Sequence, residues 1–168
     1  MIQEVKGNKI YFAKVKKGAI IPSKREEDAG YDIYTCFDED YIIIEPHTTK
    51  LIPTGIASAF SNDYVVVLKE RGSTGTKGIA QRCGVIDSGF RNEWLVPITN
   101  TNNVPIIIIK KNTKKDFDFE YIKYPYEKAI CQAIVLPAPK MIIKEISYEE
   151  LKRIPSQRGM GMLGSSNK

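Results

Sequence analysis

The chain has 168 residues, 42% hydrophobic and 27% charged, with 25 basic and 20 acidic side chains for a net charge of +5. That length suits one domain with a sizeable core, and no apolar run approaches the roughly 20 residues of a membrane-spanning helix. Met1-Ile2-Gln3-Glu4-Val5-Lys6 lacks the apolar stretch of a secretory signal, and Cys36, Cys83 and Cys131 follow no metal-ligand spacing, so reduced thiols in a cytoplasmic protein are expected.

The first 25 residues are basic, with Lys6, Lys9, Lys14, Lys16, Lys17, Lys24 and Arg25 against Glu4. Glu26, Glu27, Asp28, Asp32, Asp38, Glu39, Asp40 and Glu45 then reverse the sign. A basic face of this kind steers a polyanion such as a triphosphate or serves as plain solvated surface.

Predicted strands follow in chain order at 9–15, 31–37, 41–45, 49–60, 64–69, 94–99, 104–110, 117–123 and 129–137. They are rich in Ile, Val, Tyr and Phe and are bounded by Pro, Gly, Asn and Asp. The first special segment is Asp28-Ala29-Gly30-Tyr31-Asp32. His47 follows Pro46 in a turn, and no catalytic role is expected for it. Arg71-Gly72-Ser73-Thr74-Gly75 is a Gly-rich turn whose backbone can approach phosphate oxygens while Arg71 supplies a forked donor.

Gly84-Val85-Ile86-Asp87-Ser88-Gly89-Phe90-Arg91-Asn92-Glu93-Trp94 reads as a β-hairpin with Asp87 near its mouth. Backbone groups there can read the edge of a flat ring, and a carboxylate there can hold and polarise water. An acid beside a turn is also ordinary turn chemistry.

Ile106-Ile107-Ile108-Ile109 suits a buried strand, and Asn102-Asn103 before it reads as a tight turn. Lys110 to Asp118 is a polar, exposed loop. Ala129-Ile130-Cys131-Gln132 opens the last strand. Ser147-Tyr148-Glu149-Glu150 predicts a short capped helix. The Gly- and Ser-rich tail after Pro155 is expected to be flexible. Many short strands with Gly/Pro turns imply an all-β sandwich, jelly roll or barrel.

Five of these segments, taken in order with the tail Arg158-Gly159-Met160-Gly161-Met162-Leu163-Gly164-Ser165-Ser166, resemble the five motifs of the trimeric dUTPases. The resemblance runs from about residue 28 to 166. It implies an all-β jelly-roll (β-clip) body over residues 1–155, with residues 156–168 as a flexible C-terminal lid. It implies a homotrimer with active sites between subunits, and hydrolysis of dUTP to dUMP and pyrophosphate with Mg²⁺. Asp87 matches the family's water-activating acid, and Asp32 the acid that holds the metal through water. Arg71, Gly72, Ser73, Gln132 and Arg158 match phosphate-side positions. Gly84, Val85 and Ile86 would read uracil through their backbone, Phe90 would pack under deoxyribose, and Leu163, Gly164 and Ser165 would close over the base and phosphates.

The chain departs from the family pattern in several places. Gly72 stands where serine is usual, Phe90 replaces tyrosine, Asn92 replaces glycine, and Met162-Leu163 replaces Gly-Phe. A related fold, dCTP deaminase, carries a catalytic glutamate ten positions after the hairpin aspartate. Here that position is Pro97, and Glu93 is out of register. A dUTPase-like regulatory or binding protein is the alternative from another class. No zinc signature, helix-turn-helix or aromatic RNA-binding motif supports a specific nucleic-acid partner.

Overall fold

A computed structural model describes residues 5–161. The strands are β1 (Ile10–Lys14), β2 (Tyr31–Ile33), β3 (Tyr41–Ile44), β4 (Thr49–Pro53), β5 (Ile56–Phe60) and β6 (Tyr64–Lys69). A single helical turn, α1 (Gly72–Gly75), precedes β7 (Ile79–Gln81), β8 (Val85–Ile86), β9 (Leu95–Asn100), β10 (Ile106–Ile109), β11 (Ile122–Pro125) and β12 (Cys131–Pro137). Helix α2 (Tyr148–Arg153) follows. Among the described residues no helix is long and apolar enough to cross a membrane.

The fold is all-β. Its strands form four small sheets, in the orders β1-β5, β11-β10-β3, β2-β12-β6-β8 and β4-β9-β7. Among the described residues only β10 and β11 pair in parallel. One apolar core joins the sheets, with Trp94, Ile52, Ile98, Ile106 and Val66 fully buried. Phe12 meets Trp94 edge to face, with ring centroids 5.4 Å apart. β10 lies between β3 and β11, and all four of its isoleucines are buried. That is why it reads as an unbroken apolar run rather than an alternating one.

The structure differs from the expected strands in three places. The run 49–60 is two strands, because Gly55 has φ +68° and turns the chain. β4 then pairs with β9, and β5 pairs with β1. Expected strand 117–123 forms a ladder only from Ile122 onward. Phe117, Phe119 and Tyr121 instead pack ring edge on ring, with Tyr41 against Phe117. β7 was not expected at all, being three residues long between glycine-rich turns. Asn102-Asn103 lies in the connection between β9 and β10, which belong to different sheets. The buried side chain of Asn100 organises that crossing. Its Nδ2 donates to the carbonyls of Ile44 (3.0 Å) and Val104 (2.8 Å), and its Oδ1 accepts from the Asn102 N–H (2.9 Å).

Other expectations hold. Ser147 caps α2, accepting from the Glu150 N–H, while the Glu150 carboxylate accepts from the Ser147 N–H. The loop 110–118 is largely exposed. Cys36, Cys83 and Cys131 are free thiols, the first and last buried. His47 takes φ +54° and its ring is hydrogen-bonded to Asn103 Oδ1 at 3.0 Å. After β12 the chain leaves the body, and Met141, Ile142 and Ile143 are 80–94% exposed.

Candidate active site

Three of the sequence motifs converge. Asp32 in β2 pairs across the sheet with Gln132 in β12, which pairs in turn with Lys69 at the end of β6. Two residues past Lys69 stands Arg71, extended at φ −84°, ψ 152°, just ahead of α1. Thr74, fully buried, fixes that turn. Its hydroxyl accepts from the Arg71 N–H at 3.1 Å and donates to the Arg71 carbonyl at 2.9 Å. The Arg71 side chain then reaches back over the sheet, with Nε 3.0 Å from Asp32 Oδ1. Its Nη1 lies 3.5 Å from the Ala129 carbonyl.

The Gln132 amide is oriented as well. Its Nε2 donates to the Glu70 carbonyl at 2.8 Å, and its Oε1 lies over Gly30. Beneath the Ala129 carbonyl, buried Tyr124 donates its hydroxyl at 2.6 Å. Burial pushes the Tyr124 hydroxyl up to about 12, and the nearby Arg71 guanidinium opposes that shift.

Asp32, Arg71, Gly72, Ser73 and Gln132 line a cleft of about 980 Å³. Ser23, Lys24 and Arg25 line it too, and the motif reading did not assign them to a site. The signal for them was the basic first 25 residues. Thr74 was also missed, although a threonine three positions after the arginine in a tight turn is a capping pattern. This cleft offers an arginine fork and a side-chain amide, groups that bind phosphate oxygens.

Asp87 and Phe90 are not brought into that cleft. β8 pairs only with β6, and the chain after the turn joins a different sheet, so the expected hairpin ladder is absent among the described residues. A turn does form, with the Phe90 N–H donating to the Asp87 carbonyl at 3.0 Å. Asp87 is exposed and Phe90 is 39% exposed. Counting along the sheet, Asp87 lies three strands and four rungs from Asp32. At about 3.3 Å per residue and 4.8 Å per strand, that is roughly 20 Å.

Gly84 takes φ +107°, a conformation that favours glycine, and its carbonyl accepts from the Leu68 N–H at 2.7 Å. Val85 and Ile86 form the edge of their sheet. Their outer backbone groups have no ladder partner among the described residues.

Arg158 is described and exposed, and its carbonyl accepts from the Gly161 N–H at 3.1 Å. Leu163, Gly164 and Ser165 lie outside the described residues. Among the described residues no group of three acid, histidine or cysteine side chains could hold a metal ion. Asp32 is the cleft carboxylate paired with Arg71, and Glu27 and Asp28 line the cleft further along. That donor set fits a Mg²⁺ carried largely by phosphate oxygens and water, and does not fit a closed protein cage.

A family model described as dUTPase matches residues 16–115. A deoxyuridine 5'-triphosphate nucleotidohydrolase of Nautilia profundicola is 30% identical over 164 residues, covering 95% of this chain and 99% of the relative. That of Neisseria meningitidis serogroup B is 30% identical over 145 residues, covering 84% and 83%. Among solved structures, the dUTPase of Staphylococcus bacteriophage 80alpha with dUPNHPP superposes with TM-score 0.75 at 22% identity, over 96% of this chain and 100% of that one. A dUTPase from phage phi11 of S. aureus, described with a structural Mg(II) ion, gives TM-score 0.67 at 19% identity, over 84% and 99%.

Proposed function

This chain belongs to the dUTPase family, and on that premise we propose that it hydrolyses dUTP to dUMP and pyrophosphate by attack of water on the α-phosphorus. The carrying observation is the convergence of Asp32, Arg71 and Gln132, from three distant segments, on one cleft of triphosphate size. Phosphoryl chemistry depends mostly on positioning and charge stabilisation, and those are what this cleft offers.

Arg71, Gly72, Ser73 and Gln132 bind the phosphates. Asp87 accepts a proton from the attacking water, a role typically worth about 10²–10⁴ in rate. Gly84, Val85 and Ile86 present backbone groups at a sheet edge, suited to the hydrogen-bonding edge of uracil. Phe90, partly exposed beside them, packs under deoxyribose and leaves no room for a 2′-hydroxyl. Asp32 would hold Mg²⁺ through its water shell. When bound, that ion supplies charge neutralisation and orientation of the phosphates.

A single chain separates Asp87 from Asp32 by roughly 20 Å. Each site therefore combines Asp32, Arg71 and Gln132 of one protomer with residues 84–90 of another, in a closed homotrimer. The exposed apolar arm at Met141–Ile143 supports association between copies. Residues 1–155 form the body in this reading. Residues 156–168 form the lid, carrying Arg158 to the γ-phosphate and Leu163, Gly164 and Ser165 over the nucleotide. The location is cytoplasmic, where buried Cys36 and Cys131 stay reduced, and the role is to keep uracil out of DNA.

Deamination fits less well. Pro97 sits in β9, and the Glu93 carboxylate is engaged, accepting from the Gly55 N–H at 2.7 Å.

The test is pyrophosphate release from dUTP, dCTP, dTTP and UTP, with Mg²⁺ and with EDTA. Metal-dependent release from dUTP alone is expected. Asp87→Asn should nearly abolish turnover while still binding nucleotide. Unchanged turnover in that variant removes Asp87 from the mechanism. Absence of release, in a folded chain that binds dUTP, favours a regulatory protein.

A further inference from the structure

The cleft has a second basic segment that the roles above leave unused. Ser23 and Asp32 form an isolated antiparallel bridge, and the Asp32 N–H donates to the Ser23 carbonyl at 2.8 Å. Arg25, two residues beyond that bridge, also lines the cleft. Its guanidinium is held by Asp28, another lining residue, with Nε to Oδ2 at 2.8 Å and Nη2 to Oδ1 at 3.2 Å. The Asp28 N–H donates to the Arg25 carbonyl at 3.2 Å, closing the turn. Lys24 is committed differently. Its ammonium donates to the carbonyls of Arg25 and Glu26 and lies 5.4 Å from the Tyr31 ring centroid.

We propose that Arg25 is a second polyphosphate-contacting residue, and that Asp28 is an exchangeable partner which gives up the guanidinium when a triphosphate enters. The proposal rests on reading the cleft as the triphosphate site. A carboxylate and a phosphate engage the same guanidinium fork, so one can replace the other without remodelling the loop. The Arg25 side chain is 88% exposed, and an exposed ion pair of this kind costs little to open. Arg25 and Arg71 would then contact one polyanion from two segments, with Asp28 lowering affinity in the free chain by competing for the same fork.

The test is equilibrium binding of α,β-imido-dUTP and of inorganic tripolyphosphate to the full chain. The proteins compared are wild type, Arg25→Ala, Arg25→Lys, Asp28→Asn and the Arg25→Ala/Asp28→Asn double variant. Arg25→Ala should weaken binding of both probes about tenfold, and Arg25→Lys should recover part of that loss. Asp28→Asn should tighten binding by about two- to fivefold, as expected for freeing an exposed pair. That gain should vanish in the Arg25→Ala background. Equal affinity of Arg25→Ala and wild type overturns the proposal. So does an Asp28→Asn gain that persists without Arg25, since it would report only the loss of a nearby negative charge. Hydrolysis of dUTP by wild type separates the two failures. If wild type hydrolyses dUTP and Arg25→Ala binds normally, only this proposal falls. If wild type neither binds the probes nor hydrolyses dUTP, the reading of the cleft falls with it.

Discussion

The side-chain amide of Gln132 lies directly over Gly30: a Cβ built there would stand 2.3 Å from Gln132 Oε1 and 3.1 Å from its Cβ. Glycine at position 30 thus leaves room for the Gln132 amide that lines the cleft. Gly30→Ala should displace that amide and break its hydrogen bond to the Glu70 carbonyl. The far end of a glutamine can swing away, so the fold should lose only about 1 kcal/mol. The effect should appear chiefly as a several-fold higher KM for dUTP. Steady-state kinetics beside urea denaturation will tell, and an unchanged KM would mean that the Gln132 amide does not meet substrate.

Gly55 gives the contrasting case. It has φ +68°, and a Cβ there would meet Ala19 Cβ at 2.8 Å and Cys36 Cβ at 2.9 Å. Both neighbours are buried and short, so neither can swing away. The Gly55 N–H also donates to Glu93, and its carbonyl accepts from Val15 at 2.7 Å. Gly55→Ala should therefore destabilise the fold by about 2–4 kcal/mol, combining backbone strain and overpacking. A urea midpoint close to wild type would contradict this account of the turn between β4 and β5.

Arg71→Lys keeps the charge and removes the fork. The ammonium cannot contact Asp32 and the Ala129 carbonyl from one rigid plane as the guanidinium does. Stability should change by less than about 1 kcal/mol, since the pair is partly exposed. The KM for dUTP should rise about tenfold, as expected for losing a charge-assisted bidentate contact. Wild-type kinetics in this variant would show that charge alone suffices at position 71.

Tyr124 and Cys131 predict an alkaline loss of stability. Burial raises the Tyr124 hydroxyl from its ordinary 10.0 to about 12. Burial, aided by the Glu70 carboxylate, raises the Cys131 thiol well above its ordinary 9.0. The native state therefore keeps both protons after the unfolded chain has released them. Above these ordinary values the unfolded state binds fewer protons, so stability falls as pH rises. The fall should begin near pH 9 with Cys131. Tyr124 should add about 2–3 kcal/mol of loss between pH 10 and 12. Urea midpoints measured from pH 8 to 12 check this, and Tyr124→Phe should flatten the upper part. An identical upper slope in Tyr124→Phe would remove Tyr124 as its source.

Local pattern carried much of the fold. The four isoleucines 106–109 announced a strand buried on both faces, and Ser147 with Glu150 announced α2, because those signals are complete within a few residues. The break at Gly55 was less legible, since one glycine in an apolar run does not reveal a positive φ. The segment 117–121 misled for a related reason. Its alternation of aromatics and acids imitates a strand, but no ladder partner takes it up, and its rings pack on one another.

The site divides in the same way. Residue types and motif spacing, by themselves, pointed to an all-β chain of the dUTPase family and marked an arginine, a glutamine and two separate acids as candidate site residues. Tertiary structure alone decided which of them meet. Asp32, Arg71 and Gln132 share a cleft because β2, β12 and the end of β6 are neighbours in one sheet. Asp87 lies off that cleft because β8 joins the same sheet at its far edge. The pairing of Arg25 with Asp28, and the bridge that sets both beside Asp32, likewise appear only in the folded chain. Strand order and register arise from contacts between residues distant in sequence, and no local pattern encodes them.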